Sequence, residues 1–99
     1  MIAKLIGIKT YRYTKEGTLK EGTIITITDP EYVEEDNGDG NARYGYESDT
    51  VALPPKLRNN PSIIESLKEN IGRNIDLIYV RNFGSKFLKL DNIEFGKEG

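Results

Sequence analysis

The sequence predicts a mainly β domain with one helix, built as a five-stranded Greek-key barrel of the OB type. Five extended runs rich in β-branched and aromatic residues occur within 99 residues. One segment has apolar residues at helical spacing and falls between the third and fourth runs, which gives the order β-β-β-α-β-β. An SH3-like barrel or an open α+β sheet would also fit this order. Because one short helix cannot cover five strands, closure into a barrel is favoured, and residues 1–99 are expected to form a single domain.

The first three strands are predicted at residues 2–13, 23–28 and 43–53. Residues 14–22 contain Gly17 and Gly22 among charged residues and are predicted to be an exposed hairpin tip. Pro30 cannot donate to a strand ladder and ends the second strand, whereas Pro54 and Pro55 close the third. Residues 34–41, in which Asp, Asn and Gly alternate, are expected to be a loop. Alternation along the first strand puts Ile6, Ile8 and Thr10 on one side and Leu5, Lys9, Tyr11 and Tyr13 on the other.

The helix is predicted at residues 62–71. Ser62 and Glu65 have the spacing of a capping box, and Gly72 fits the position that follows a helix. Its apolar face consists of Ile63, Ile64, Leu67 and Ile71. Strands four and five are predicted at residues 74–81 and 86–95, joined by a turn at residues 82–85. The helix is expected to plug one end of the barrel.

The composition excludes several classes of protein. The chain has no Cys and no His, so disulfides, thiolate or imidazole metal sites and most catalytic triads are ruled out. A calcium loop starting at Glu35 fails because its twelfth position is Tyr46 rather than Glu. We expect no catalysis, no metal and no cofactor. The apolar runs are too short to span a membrane, so a cytoplasmic protein without membrane contact is expected.

The net charge of -2 hides a strong asymmetry along the chain. Residues 29–49 carry eight acidic side chains against Arg43 alone. The remaining segments, residues 1–28 and 50–99, are both net basic. Because salt screens charges over about 8 Å, a polyanion on a remote face would respond to the local basic charge rather than to the total.

Basic and aromatic residues alternate on the first hairpin, a pattern typical of proteins that bind single-stranded nucleic acid. Lysine and arginine neutralise phosphates, and exposed rings stack on unpaired bases. Ordinary solvent-facing strand residues would give the same pattern, and that alternative stays open. The candidate residues of this hairpin are Lys9, Tyr11, Arg12, Tyr13, Lys15 and Lys20. A second candidate set consists of Arg43 and Tyr46 on the third strand and Arg81, Phe83 and Lys86 around the last turn.

Residues 72–95 resemble the last hairpin of the filamentous-phage gene V single-stranded-DNA-binding proteins. The resemblance rests on a glycine, an apolar strand with Leu77 and Tyr79, then Phe83-Gly84-Ser85, and then Leu88, Leu90-Asp91 and Ile93. It implies a small β-barrel that binds DNA as a homodimer, with Phe83 stacking on a base and the hairpin around Arg12, Lys15 and Lys20 similar in kind to a DNA-binding wing. The helix and the acidic residues 31–39 depart from that family's pattern.

The sequence therefore predicts a non-catalytic protein that binds single-stranded nucleic acid, with DNA favoured, as a replication accessory protein of a phage or mobile element. The alternative is a protein-interaction or inhibitor module that acts through the acidic segment 29–49, where a protein partner would dock. Reversing the charges of the first hairpin would affect only the first activity, whereas neutralising the acidic segment would affect only the second.

Overall fold

The computed structural model describes residues 1–81, 83–84 and 86–96, and these form mainly β structure with two short helices. The strands are β1 (Ile2–Lys15), β2 (Thr18–Thr28), β3 (Val33–Asp36), β4 (Ala42–Gly45), β5 (Ser48–Ala52), β6 (Asn74–Arg81) and β7 (Leu88–Glu94). The helices are α1 (Pro55–Arg58) and α2 (Pro61–Glu69). Asn82 and Ser85, which belong to the predicted last turn, lie outside the described residues.

The mainly β class is confirmed, but the predicted order of elements is wrong in two places. The expected loop at residues 34–41 lies within the β3–β4 hairpin, whose turn is held by Asp36 accepting from the Gly38 N–H and Asp39 accepting from the Asn41 N–H. The predicted third strand is split into β4 and β5, and the proline pair that ends it begins the extra helix α1, with Pro55 at its first turn.

Five strands form one antiparallel sheet in the order β5-β2-β1-β6-β7. The closed barrel that we predicted is not formed, since no hydrogen-bonded ladder joins β5 to β7 within the described ranges. The two outer strands nevertheless approach each other. Lys56, which follows β5 in α1, forms an ion pair with Asp91 of β7, and Ala52 of β5 lines one groove with Val80 of β6 and Leu90 of β7. The sheet is therefore strongly curled, as its right-handed twist favours.

The core lies inside this curl and is closed by the two helices. Its buried side chains come from β1, β2, β6, β7 and the segment 53–67, with Leu5, Ile25, Leu67, Ile75 and Leu77 the largest that are fully buried. Leu67 brings α2 into the core and Leu57 brings α1. Ile71, predicted for the buried helix face, is 47% exposed because α2 ends before it, at Glu69.

The β1–β2 hairpin extends well beyond the core. Residues 14–21 are exposed, as predicted for a hairpin tip, but the strands pair as far as Lys15 and Thr18 instead of ending at Tyr13 and Thr23. Only Glu16 and Gly17 form the turn, and both have positive φ (52° and 76°), the geometry of a type I′ turn that matches the twist of the strands. The protruding hairpin gives the chain a radius of gyration of 16.3 Å and a longest dimension of 52 Å. A compact chain of this length would have a radius of gyration near 13 Å.

A β-bulge at Ile6 sets which side chains of the hairpin face outward. Leu5 pairs with Ile27 and Gly7 with Thr26, so Ile6 is the extra residue. Leu5 and Ile8 consequently both face the core side, although simple alternation predicted opposite sides for them. Ile6 itself is 45% exposed. Beyond the bulge the odd-numbered residues of β1 face outward.

Candidate nucleic-acid interface

The outward side of the β1–β2 hairpin gathers basic and aromatic residues on one surface. Residues directly opposite each other in an antiparallel ladder share a face, and the register pairs Tyr13 with Lys20, Lys15 with Thr18 and Tyr11 with Gly22. This surface, the outer hairpin face, consists of Lys9, Tyr11, Tyr13, Lys15 and Lys20. The sequence alternation predicted that Lys9, Tyr11 and Tyr13 share a face, and the register agrees.

Two neighbouring tyrosine rings form an aromatic platform in the middle of this face. The ring centroids of Tyr11 and Tyr13 lie 6.0 Å apart with the planes tilted by 34°. Tyr11 is half-buried because its ring covers Gly22 on the opposite strand, where a Cβ atom would overlap it. Tyr13 is 53% exposed. Tyr11 is therefore held in place by the backbone of Gly22, whereas Tyr13 offers its ring to a ligand.

Basic and aromatic residues also occupy the outward side of the part of the sheet that covers the core. Lys4 pairs with Thr28, and both line a shallow groove of about 410 Å³ together with Ile6, Tyr46 and Ser48. Tyr46 is 60% exposed and meets Tyr32 edge-on, with ring centroids 5.8 Å apart. The outward positions of β1, β2 and β5 include four lysines and four threonines but no carboxylate. A polyanion laid along these positions would meet lysines, whereas the carboxylates of Asp76, opposite Ile2 on β6, and of Glu47, next to Ser48, lie beside them.

Arg12 is separated from these residues and lies on the opposite side of the hairpin. It pairs with Glu21 across the ladder, and its Nε lies 3.9 Å from the Glu21 carboxylate. Both residues line a groove of about 440 Å³ between the hairpin and the end of α1. The register is regular from Gly7 to Lys15, so Arg12, a candidate residue of this hairpin, stays on the side opposite the outer hairpin face.

Arg43 belongs to the acidic β3–β4 hairpin rather than to the basic surface. Its guanidinium forms ion pairs with Glu35, at 2.8 Å, and with Glu47. Two carboxylates thus already neutralise the only basic side chain of residues 29–49. Tyr44, on the same strand, is 57% exposed and does not line the core. The Asn41 backbone N–H also lowers the pKa of Asp39, which keeps that carboxylate charged.

Arg81, Phe83 and Lys86 lie at the opposite end of the sheet from the hairpin turn. β6 runs antiparallel to β1 and pairs with residues 2–4 at the start of β1. Its last residue, Arg81, therefore lies at the end of the sheet that is remote from the turn at Glu16 and Gly17. Phe83 is fully exposed and does not cap the core. Among the candidate residues, one surface therefore combines those of the outer hairpin face, and Tyr46 lies beside Lys4 in the adjoining groove.

Two charged residues of this region were missed in the sequence. Lys4 was not a candidate residue, because simple alternation without the bulge places it on the side of β1 opposite Lys9. Arg58 lines the groove behind the hairpin and donates from Nη1 to the Glu21 carbonyl at 3.2 Å. A basic residue shortly after a proline pair was the only sequence signal for Arg58, and it does not identify a contact 37 residues away.

Comparisons with protein-family models, with curated proteins and with solved structures find no match to this chain. In the part of the chain that the structure describes, no helix is long and apolar enough to cross a membrane.

Proposed function

We propose that the protein binds single-stranded nucleic acid, DNA in the first place, on the outward side of β1, β2 and β5. One observation carries this proposal: that side combines Lys4, Lys9, Lys15 and Lys20 with exposed tyrosines, and the outward positions of these strands have no carboxylate. Lysines there would neutralise successive phosphates, and tyrosines would stack on unpaired bases whatever their sequence. No step of this binding requires a cofactor or a chemical reaction.

The finer architecture that fits this function is a partly open OB-like barrel. OB-folds are five-stranded Greek-key barrels that bind oligonucleotides on strands two and three and on the loops after strands one and four. The sheet order β5-β2-β1-β6-β7, with the helices between β5 and β6, supports this assignment. In it, β2 and β5 are the second and third barrel strands, the Glu16–Gly17 turn is the loop after strand one, and Phe83 is in the loop after strand four.

The tyrosine platform would contact the bases of a bound strand, and the lysines would contact its phosphates. Lys9 and Lys15 flank the two rings along β1, and Lys20 lies directly across from Tyr13. A strand running along β1 would therefore place one base on Tyr13 while its phosphates contact lysines before and after it. Duplex DNA keeps its bases paired and stacked internally and cannot use the rings, so the geometry favours single strands.

The decisive measurement is fluorescence anisotropy of a labelled oligo-dT at increasing salt. If Lys4, Lys9, Lys15 and Lys20 each neutralise one phosphate, the affinity should fall about 50-fold between about 50 and 200 mM salt. The double variant K15Q/K20Q should reduce the slope of log affinity against log salt by about 1.4. The matched control K68Q/R73Q removes two positive charges from the α2 region and should leave the slope unchanged. A wild-type affinity that is independent of salt would refute the model.

Tyr13 provides a test of base stacking that does not depend on charge. Y13A should weaken binding by about 1 to 3 kcal/mol, whereas Y13F keeps the ring and should bind nearly as wild type. Equal affinity of the wild-type protein for single-stranded and duplex oligonucleotides would contradict the single-strand preference. Sedimentation of the complex would also measure the homodimer that the sequence resemblance implies.

A further inference from the structure

A groove behind the protruding hairpin brings together two arginines that the proposed function does not use. Its volume is about 440 Å³, and we call it the arginine groove. Arg12 of β1 and Arg58 at the end of α1 line it from different elements. Its other lining residues include Thr10, Glu21, Thr23 and Asn59. The groove lies on the side of the hairpin opposite the outer hairpin face, because Arg12 and Thr10 are even-numbered residues of β1.

Among the described residues, Glu21 carries the only carboxylate that lines the groove, and its ion pair is with Arg12. Its nearest approach to Arg12 Nε is 3.9 Å, and the two side chains are 74% and 52% exposed for Arg12 and Glu21. Arg58 contacts the backbone carbonyl of Glu21 rather than its carboxylate. Exposed pairs at this distance are weak. The groove thus has a net positive charge and guanidinium N–H donors that no carboxylate within the described residues satisfies.

We propose that the arginine groove binds a phosphate group. Guanidinium groups present planar pairs of donors that match phosphate oxygens, and hydrogen bonds between two charged groups are stronger than neutral ones. Arg58 is already held by its hydrogen bond to the Glu21 carbonyl, so its side chain would lose less conformational entropy when a ligand binds. Thr10 adds a hydroxyl at the same wall. Arg12 supplies a second positive charge from across the groove.

The phosphate has two chemical sources: a phosphodiester of a strand that turns over the hairpin edge, or a free phosphorylated small molecule. The first source rests on the proposed function and would extend the bound strand from the outer hairpin face to the back of the hairpin. The second does not depend on it. Both present the same oxygens to the same guanidinium groups, so one experiment tests the shared chemistry and another distinguishes the sources.

The shared chemistry is tested by titrating the full-length protein with inorganic phosphate at low salt and recording amide and arginine Nε–H signals by NMR. Saturable shifts are expected at Arg12, Arg58 and the amides of Thr10 and Thr23. R12Q/R58Q should weaken phosphate binding by about tenfold or more, since it removes two charged donors. The control R73Q changes an exposed arginine outside the groove and should bind phosphate as wild type does.

E21Q keeps every groove contact except the carboxylate charge and should tighten phosphate binding by about twofold to fivefold. This gain would not arise from a variant that is simply misfolded. The proposal is overturned if phosphate causes no localised shifts in the wild type, or if R12Q/R58Q binds phosphate as tightly as the wild type.

Oligonucleotides of about 4 and about 16 nucleotides identify the source. If R12Q/R58Q weakens only the longer one, the groove takes a phosphodiester of the same strand. If it weakens neither while phosphate binding is lost, the ligand is a free phosphorylated molecule. Failure of the proposed function is recognised separately, because K15Q/K20Q would then bind both oligonucleotides as the wild type does while the phosphate titration stays unchanged.

Discussion

The pKa of Tyr79 reflects the curl of the sheet, which brings a charged residue of β5 near β6. Its ring packs against the core from β6, and burial raises the pKa of its hydroxyl above the usual value of 10.0. The negative charge of Asp49 raises that pKa further. Asp49 is on β5, and β2 and β1 separate β5 from β6 in the sheet order. A charge three strands along the sheet can act on Tyr79 only because the sheet folds back on itself.

The raised pKa makes stability depend on alkaline pH. The folded state holds the Tyr79 proton more tightly than the unfolded chain, so the contribution is complete below the unfolded pKa of about 10 and is lost as pH rises through the folded pKa. We expect the free energy of unfolding, measured with urea, to fall more steeply above about pH 10 in the wild type than in Y79F. D49N should reduce the difference. Identical pH profiles of wild type and Y79F would contradict this origin of the shift.

The helix α2 shows the limit of sequence patterns for placing element ends. The spacing of Ser62 and Glu65 predicted a cap at Ser62, whereas the structure starts the helix earlier, with Asn60 as N-cap and Pro61 in the first turn. Asn60 Oδ1 accepts from the Ser62 N–H at 3.0 Å. Both residues are good caps by type, and Pro61 decides between them because its fixed φ and missing N–H suit the first helical position.

Substitution at the two candidate caps distinguishes them. N60A removes the side-chain acceptor and should cost about 1 kcal/mol of unfolding free energy, whereas S62A should cost only a few tenths. Thermal or urea unfolding of both variants measures the difference. A larger loss in S62A than in N60A would restore the cap that the sequence pattern suggested.

Strands were easier to predict than their ends or partners. The predicted strand at residues 74–81 has the bounds of β6, because core-facing apolar residues alternate along it from Ile75 to Tyr79. β2 begins five residues earlier than predicted, since Gly22, read as a breaker, is covered by Tyr11 and stays in the ladder. The same contrast holds for the site. Alternation along β1 placed the odd-numbered hairpin residues on one face, whereas the positions of Lys4 and Arg58 depend on a bulge and on a long-range contact that the local sequence does not encode.

At the scale of the whole molecule, charge is separated along its length. β1 carries the basic hairpin to one end, whereas β2 ends beside Lys4 and leads into the acidic β3–β4 hairpin at the other. Along β2, ten residues separate Thr18, which is opposite Lys15, from Thr28, a length of about 33 Å that is several times the screening length of about 8 Å at physiological salt. The acidic residues therefore do not shield the outer hairpin face, and composition by segment predicted this separation while net charge concealed it.

This separation gives a test that also decides between the two functions considered for the sequence. Neutralising Glu34, Glu35, Asp36 and Asp39 together as E34Q/E35Q/D36N/D39N should change oligonucleotide affinity by less than about twofold at physiological salt. The Asn and Gln side chains keep the acceptor oxygens that close the turn. A tenfold change in affinity would mean that the acidic hairpin takes part in binding, and loss of a protein partner from the variant would favour the interaction module.

The bulge at Ile6 gives β1 one residue more than its ladder with β2 requires. Leu5 pairs with Ile27 and Gly7 with the next residue of β2, Thr26, so a chain lacking Ile6 would keep every later pair and leave each later side chain on its present face. Tyr11 and Tyr13 would still face outward, and Thr10 and Arg12 would still face the side of α1. A loss of three nucleotides at this codon would thus leave the outer hairpin face intact, although it removes a residue from within a strand.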